Sequence, residues 1–282
     1  VFTAGKVTAG YYAKINNELR EAKRGENRDG LQLMGAALTG RTVLVTGAAR
    51  RVGAAICRRL HAAGAAVVVH HHRSAADAQA LVQALNAARA GSAIAVGADL
   101  LDAAALPRLI TDVLALNGRL DALVNNASSF YATPLGEIDE QCWADLMGTN
   151  LKAPLFLSQA AAPALRASGG CIVNIIDIHA ELPMKAHVVY TAAKGGLLAL
   201  TRSLARELGP EVRVNGVSPG TIIWPEGGAW QDEEARRRIV DRTVLKRTGE
   251  PEDIAAAVEY MITAPFVTGQ ILAVDGGRSI VA

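Results

Sequence analysis

The sequence predicts an α/β protein built on one doubly wound sheet of about seven parallel strands with helices on both faces. Three observations carry this. Short β-branched runs such as RTVLV and AAVVVHHHR are continuously apolar, as strands buried on both faces must be. Helical segments of ten to twenty residues separate them, the spacing a parallel crossover needs. Glycine-containing turns punctuate the strand ends, TGAARRVG first among them.

In chain order, RTVLVTG is a strand ending in glycine, AAICRRLHAAG a helix with a glycine stop, and AAVVVHHHR the second strand. A helix over about 75–89 leads to the strand SAIAVGADL, and the helix AALPRLITDVLALNG leads to LDALVNNA. A helix from Cys142 to Leu165 precedes GGCIVNII, and one from Tyr190 to Leu208 precedes VRVNGVSPG. The helix PEDIAAAVEYMI and the strand GQILAVDGG close the pattern. In such a sheet ligands gather at the carboxyl ends of the strands.

Residues 1–40 stand apart. The stretch YYAKINNELREAKRGENRDG is charged and too sparsely apolar for a core helix, so a peripheral or flexible arm is expected there. Residues 41–282 are expected to form a single domain. The 282 residues carry a formal net charge of +2 with no basic stripe, which gives no argument for a nucleic-acid partner. Neither a membrane span nor the order of a signal peptide is present, and Cys57, Cys142 and Cys171 lie far apart without metal-site spacing. A reduced, cytoplasmic protein with no metal is the expectation.

The loop Thr46–Gly53 lies between the first strand and its helix, where glycines permit a tight turn and a helix N-terminus favours a pyrophosphate. The second strand ends in His70, His71, His72, Arg73 and Ser74 with no acid from Val67 onward. An acid there would bind the ribose hydroxyls of NAD; a histidine and arginine cluster suits a 2'-phosphate, so NADPH is the expected cofactor. Three consecutive histidines on a strand diverge to alternate faces, which argues against a metal site. A polar strand end without a ligand is the plain alternative.

Tyr190 and Lys194 form YxxxK, four residues apart on one helical face. A nearby lysine favours the phenolate and prepares a tyrosine for proton transfer. Asp177 follows the buried-looking run CIVNII. It either converges on the Tyr/Lys pair or merely caps the turn near His179. Phe130 and Tyr131 form an aromatic pair after a strand end, a platform for a flat heterocycle or simply a packed loop. The segment from Gly220 to about Arg242, with Trp224, Trp230 and a Pro-Glu-Gly-Gly hinge, is the expected adjustable wall over the substrate.

Together, Thr46, Gly47 and Gly53, the NNA of Asn125 to Ala127, Asn150, YxxxK and the SPG of Ser218 to Gly220 make residues 41–282 resemble the short-chain dehydrogenases/reductases. That resemblance implies a Rossmann-type domain, NAD(P)-dependent carbonyl or imine reduction and a homotetramer. It also implies Tyr190 as acid/base, Lys194 on the nicotinamide ribose and Asn150 supporting a relay water. The implied cofactor contacts are Thr46, Gly47, Arg50, Arg51, Val52, Gly53, His71, His72, Arg73, Ser74, Asp99, Leu100, Asn126, Ala127, Ser128, Tyr190, Lys194, Pro219 and Gly220.

Two departures narrow the resemblance. Asp177 replaces the usual serine and Arg51 the middle loop glycine, and both resemble the pteridine reductases, as do NNASSFY and HHRS. This implies reduction of dihydropterins, with dihydrofolate or oxidised pterins as further substrates. Phe130 would stack on the pterin, Ser128 and Arg51 would contact pterin and cofactor phosphate, and Asp177 would partner Tyr190. Gly220 and Trp224 would complete the substrate site. A reductase of 3-oxoacyl thioesters, sugars or ketones is the alternative, and a non-catalytic nucleotide-binding scaffold a remote one.

Overall fold

A computed structural model describes residues 37–224 and 232–281. Most of the expected N-terminal arm, the Pro-Glu-Gly-Gly hinge and Trp230 lie outside the described residues.

The strands are β1 (Thr42–Val45), β2 (Ala66–His71), β3 (Ala93–Gly97), β4 (Ala122–Asn125), β5 (Cys171–Ile175), β6 (Arg213–Pro219) and β7 (Ile271–Val274). They form one parallel sheet in the order β3-β2-β1-β4-β5-β6-β7. The order reverses between β1 and β4, which opens a crevice at the carboxyl edge of the sheet.

The helices are α1 (Arg51–Ala62), α2 (Ala75–Ala88), α3 (Ala105–Asn117), α4 (Glu140–Met147), α5 (Ala153–Ser168), α6 (Val188–Leu208), α7 (Glu233–Asp241) and α8 (Pro251–Thr263). Side chains alternate across the strands, so the sheet feeds two cores. On one face Val43, Val45, Val67, Val69, Val124 and Val173 pack with Ile56 and Leu60 of α1, Leu81 of α2 and Ile254 and Val258 of α8. On the other, Leu44, Val68, Leu123, Ile172 and Val214 pack with Leu109 of α3, Leu157 of α5 and Leu208 of α6. This is why the strands read as unbroken apolar runs.

Two elements differ from the sequence expectation. The helix expected from Cys142 to Leu165 is α4 and α5 joined through a π-helical turn, Gly148–Lys152. The extra residue is invisible to a 3.6-residue periodicity, and such turns favour functional positions. The segment expected as a loop up to Arg242 contains α7, capped by Asp232, whose side chain accepts from the Glu234 amide. Its polar sequence buries no residue, so apolar periodicity gave no signal.

Candidate active site

The glycine loop is shaped by its neighbours. Gly47 adopts a φ of 59°, and a Cβ there would approach the Ala127 Cα to 2.9 Å. A Cβ on Gly53 would sit 2.5 Å from the Gly47 carbonyl oxygen, so the first turn of α1 packs against the loop only as glycine. Thr46 is buried and outside the cavity wall; its Oγ1 accepts from the amides of Asn126 (2.9 Å) and Ala127 (3.0 Å). Asn126 Nδ2 in return donates to the carbonyls of Thr46 and Gly47. Asn125 points elsewhere, donating to Asn174 Oδ1 within the core.

His70 differs from its expected place in a phosphate pocket. It is buried, accepts at Nδ1 from the Gly47 amide (3.1 Å) and so carries its proton on Nε2, which bonds the Ala98 carbonyl. Burial pulls it down to about 4, against the bond to Ala98, and it stays neutral. Both nitrogens are used in bracing the loop. His71 turns to the other face of β2 with its ring over Gly97, as strand alternation demands. His72 and Arg73 line the cavity, whereas His71 and Ser74 do not.

That cavity, about 930 Å³, runs along the carboxyl ends of the strands. At one end are Gly47, Arg50, Arg51, Val52 and Gly53, joined by Asp99, Leu100, Asn126 and Ala127. No side chain caps α1 and no acid stands in its first turn, so this helix end is electrostatically suited to a pyrophosphate. Arg51 holds a φ of 51°, and its guanidinium donates to the carbonyls of Ile223 and Trp224 across the cavity. Arg50 pairs with Asp77 of α2 at 2.6 Å. The donor set and the glycine cradle fit a dinucleotide bearing a 2'-phosphate near His72 and Arg73.

At the other end the catalytic candidates meet. The Tyr190 hydroxyl donates to Asp177 Oδ2 at 2.7 Å, while Asp177 Oδ1 accepts from the His179 amide at 2.9 Å. Both sequence readings of Asp177 are therefore realised at once, one on each oxygen. Burial, then the charge of Asp177 and its hydrogen bond, push the Tyr190 phenol well above its ordinary value, and a bond from Ser128 opposes them. Lys194 is buried, donates to the Ile175 carbonyl (2.9 Å) and is brought down to about 8 by burial, against the pull of Asp177. Its ammonium lies 5.7 Å from the centre of the Tyr190 ring.

Asn150 sits on the π-helical turn behind this wall, donating to the carbonyls of Ser129 and Leu146 and accepting from Ser128 Oγ at 2.6 Å. Phe130 lines the cavity, stacked on His187 at 4.9 Å and edge-on to Tyr190 at 4.8 Å. Pro219, Gly220 and Trp224 line it as well. Thr221 and Ile222, at the start of the segment expected as the substrate wall, line it too, whereas sequence reasoning missed His179, Met184 and Arg278, which share the same wall. Arg278 had a signal: it follows the Gly-Gly turn at the carboxyl end of the last strand, where ligands gather. Among the described residues no group of His, Cys, Asp or Glu could hold a metal, and no helix is long and apolar enough to cross a membrane.

The chain is similar to known proteins over most of its length. A family model described as enoyl-(acyl carrier protein) reductase matches residues 47–279. Pteridine reductase 1 of Leishmania tarentolae is 38% identical, over 86% of this chain and 97% of its own. The 3-oxoacyl-[acyl-carrier-protein] reductase of Staphylococcus aureus is 34% identical, over 84% and 97%. Among solved structures, a blue fluorescent protein from a metagenomic library, in complex with NADPH, superposes with a TM-score of 0.80 at 37% identity, covering 86% of this chain and 99% of its own. With its parallel sheet, its glycine loop and its Tyr/Lys pair at the strand ends, the chain belongs to the short-chain dehydrogenase/reductase family of oxidoreductases.

Proposed function

We propose that this protein is an NADPH-dependent reductase of pterins, converting a dihydropterin to its tetrahydro form. The cofactor is NADPH, which supplies a hydride when bound. The observation that carries the substrate reading is the 2.7 Å bond from Tyr190 to Asp177, a carboxylate where the common carbonyl-reducing arrangement has a hydroxyl. A C=N bond gains a hydride on carbon and a proton on nitrogen. Tyr190 delivers that proton, Asp177 orients the phenol and accepts from ring N–H groups, and the Lys194 ammonium stabilises the phenolate left behind. Ser128 and Asn150 form the hydrogen-bonded line behind the tyrosine. Phe130 offers its ring to a flat heterocycle beside Tyr190.

The Leishmania relative supports this reading, and the ketone and thioester alternatives are decided by turnover. Purified protein should oxidise NADPH with 7,8-dihydropterins and be slow with acetoacetyl thioester and simple ketones. The reverse order would replace the pterin reading by the carbonyl one. Binding of NADPH with no turnover on any of them would favour a scaffold. The reading includes a homotetramer: Trp143 of α4 and Leu155 and Phe156 of α5 are large apolar side chains more than a third exposed, suited to burial against a second copy. Light scattering at micromolar concentration checks it, and a monomer overturns it.

A further inference from the structure

The turn after β7 holds an arginine aimed at the reaction chamber. Asp275 fixes that turn: its Oδ1 accepts from the Gly277 amide (2.9 Å) and its Oδ2 from the Ser279 amide (2.7 Å), and Gly277 takes a φ of 79°. Between them Arg278 lines the same cavity as Asp177 and Tyr190. One nitrogen donates to Thr221 Oγ1 at 2.7 Å, and among the described residues the guanidinium forms no ion pair. A guanidinium carries five N–H donors in a fixed fork, so most of its capacity meets no acceptor among the described residues.

The surroundings do not neutralise it. Partial burial draws Arg278 below its ordinary value, and the positive charge of Arg242 adds to that. Asp177 and Asp275 oppose the shift, yet Asp275 is occupied by two backbone amides and Asp177 by Tyr190 and the His179 amide. A partly desolvated cation, locked by its turn and short of acceptors, is preorganised for an anion that arrives with the substrate.

We propose that Arg278 is a specificity-determining residue that pairs with a carboxylate of the substrate, so that this protein prefers pterins bearing an acidic side chain over uncharged ones. This rests on the pterin reading for the ring but not for the charge. The reducing centre would hold the ring at Tyr190 and Asp177, and the fork of Arg278 would take the carboxylate bidentately.

The test compares dihydrofolate, whose side chain ends in carboxylates, with uncharged 6-hydroxymethyl-7,8-dihydropterin. The unmodified protein should show a kcat/KM ratio in favour of dihydrofolate, lying mainly in KM. Arg278→Gln should reduce that ratio at least tenfold, and Arg278→Lys should restore part of it. NADPH affinity and melting temperature report whether each variant is folded, and quenching of intrinsic fluorescence by dihydrofolate in the NADP+ complex gives a binding readout independent of turnover. A ratio unchanged in both variants overturns the proposal. So does an unmodified protein that prefers the neutral pterin. If neither pterin reacts, the pterin reading fails by itself, and acetoacetate against its ethyl ester puts the same question to Arg278: a preference for the acid that R278Q abolishes supports the carboxylate anchor, and its absence ends it.

Discussion

Tyr190 and Asp177 share one short hydrogen bond although thirteen residues and a change of element separate them. The tyrosine stands in the first turn of α6 and the aspartate just past β5, and their contact joins a proton donor to a carboxylate inside a cavity. Asp177 also caps the turn Ile178–Ala180, so its removal has a structural cost and a chemical one.

The two are separable by substitution. Asp177→Ser should lower kcat/KM on dihydropterins about 10²- to 10⁴-fold, the usual range for a group assisting proton transfer, and raise activity on small ketones. Serine is itself a good cap, so the His179 amide keeps a partner and the substitution should cost less than about 1 kcal/mol of stability. Tyr190→Phe should depress both activities. Steady-state kinetics with thermal melting checks this, and a D177S protein that melts early yet reduces dihydropterins at the starting rate would leave Asp177 a structural role alone.

Lys194 sets an alkaline limit. Burial holds it down to about 8, and the proposed reaction uses its cation, so kcat/KM should fall as pH rises through that value. Tyr190, pushed well above its ordinary value, keeps its proton over the same range and does not mask the limb. The sign for stability is opposite. Between about 8 and 10.5 the unfolded chain binds the proton that the native lysine has released, so this group's contribution to stability rises with pH across that window. A pH–rate profile flat to pH 9.5 would contradict the assignment.

Arg73 lines the cavity mouth beside His72, with no ion pair among the described residues. Arg73→Ala should weaken NADPH binding about tenfold, some 1.4 kcal/mol, with little effect on NADH. Titration by cofactor fluorescence reads the ratio. Equal affinity for the two cofactors in the unmodified protein would remove the motive for the claim.

Gly53→Ala should be poorly tolerated. Its methyl group would meet the Gly47 carbonyl at 2.5 Å and Asn126 Nδ2 at 2.7 Å, and both atoms belong to the bonded framework of the loop. Overpacking of this kind costs about 1–3 kcal/mol, and the displaced loop should bind NADPH at least tenfold more weakly. Calorimetric melting with a cofactor titration measures both; a variant with unchanged affinity would show that the loop yields without consequence.

The sequence by itself determined the parallel sheet, the place of the glycine loop and the Tyr190–Lys194 pair, because each is written in local pattern: two-faced apolar strands, turn residues and a four-residue helical spacing. Asp177 was legible as an anomaly, a charge after a buried run. Only the tertiary structure decided that both contacts form together, since each carboxylate oxygen meets a different segment. Likewise the three histidines look alike in sequence, yet β2 sends His70 inward to brace Gly47, His71 over Gly97 and His72 to the cavity. The contacts of Asn150 on its π-helical turn, and the placing of Arg278 on the cavity wall after its Gly-Gly turn, were likewise decided only by the tertiary structure. Their roles come from contacts between segments far apart in the chain, and periodicity records only which way a side chain faces, not what it meets there.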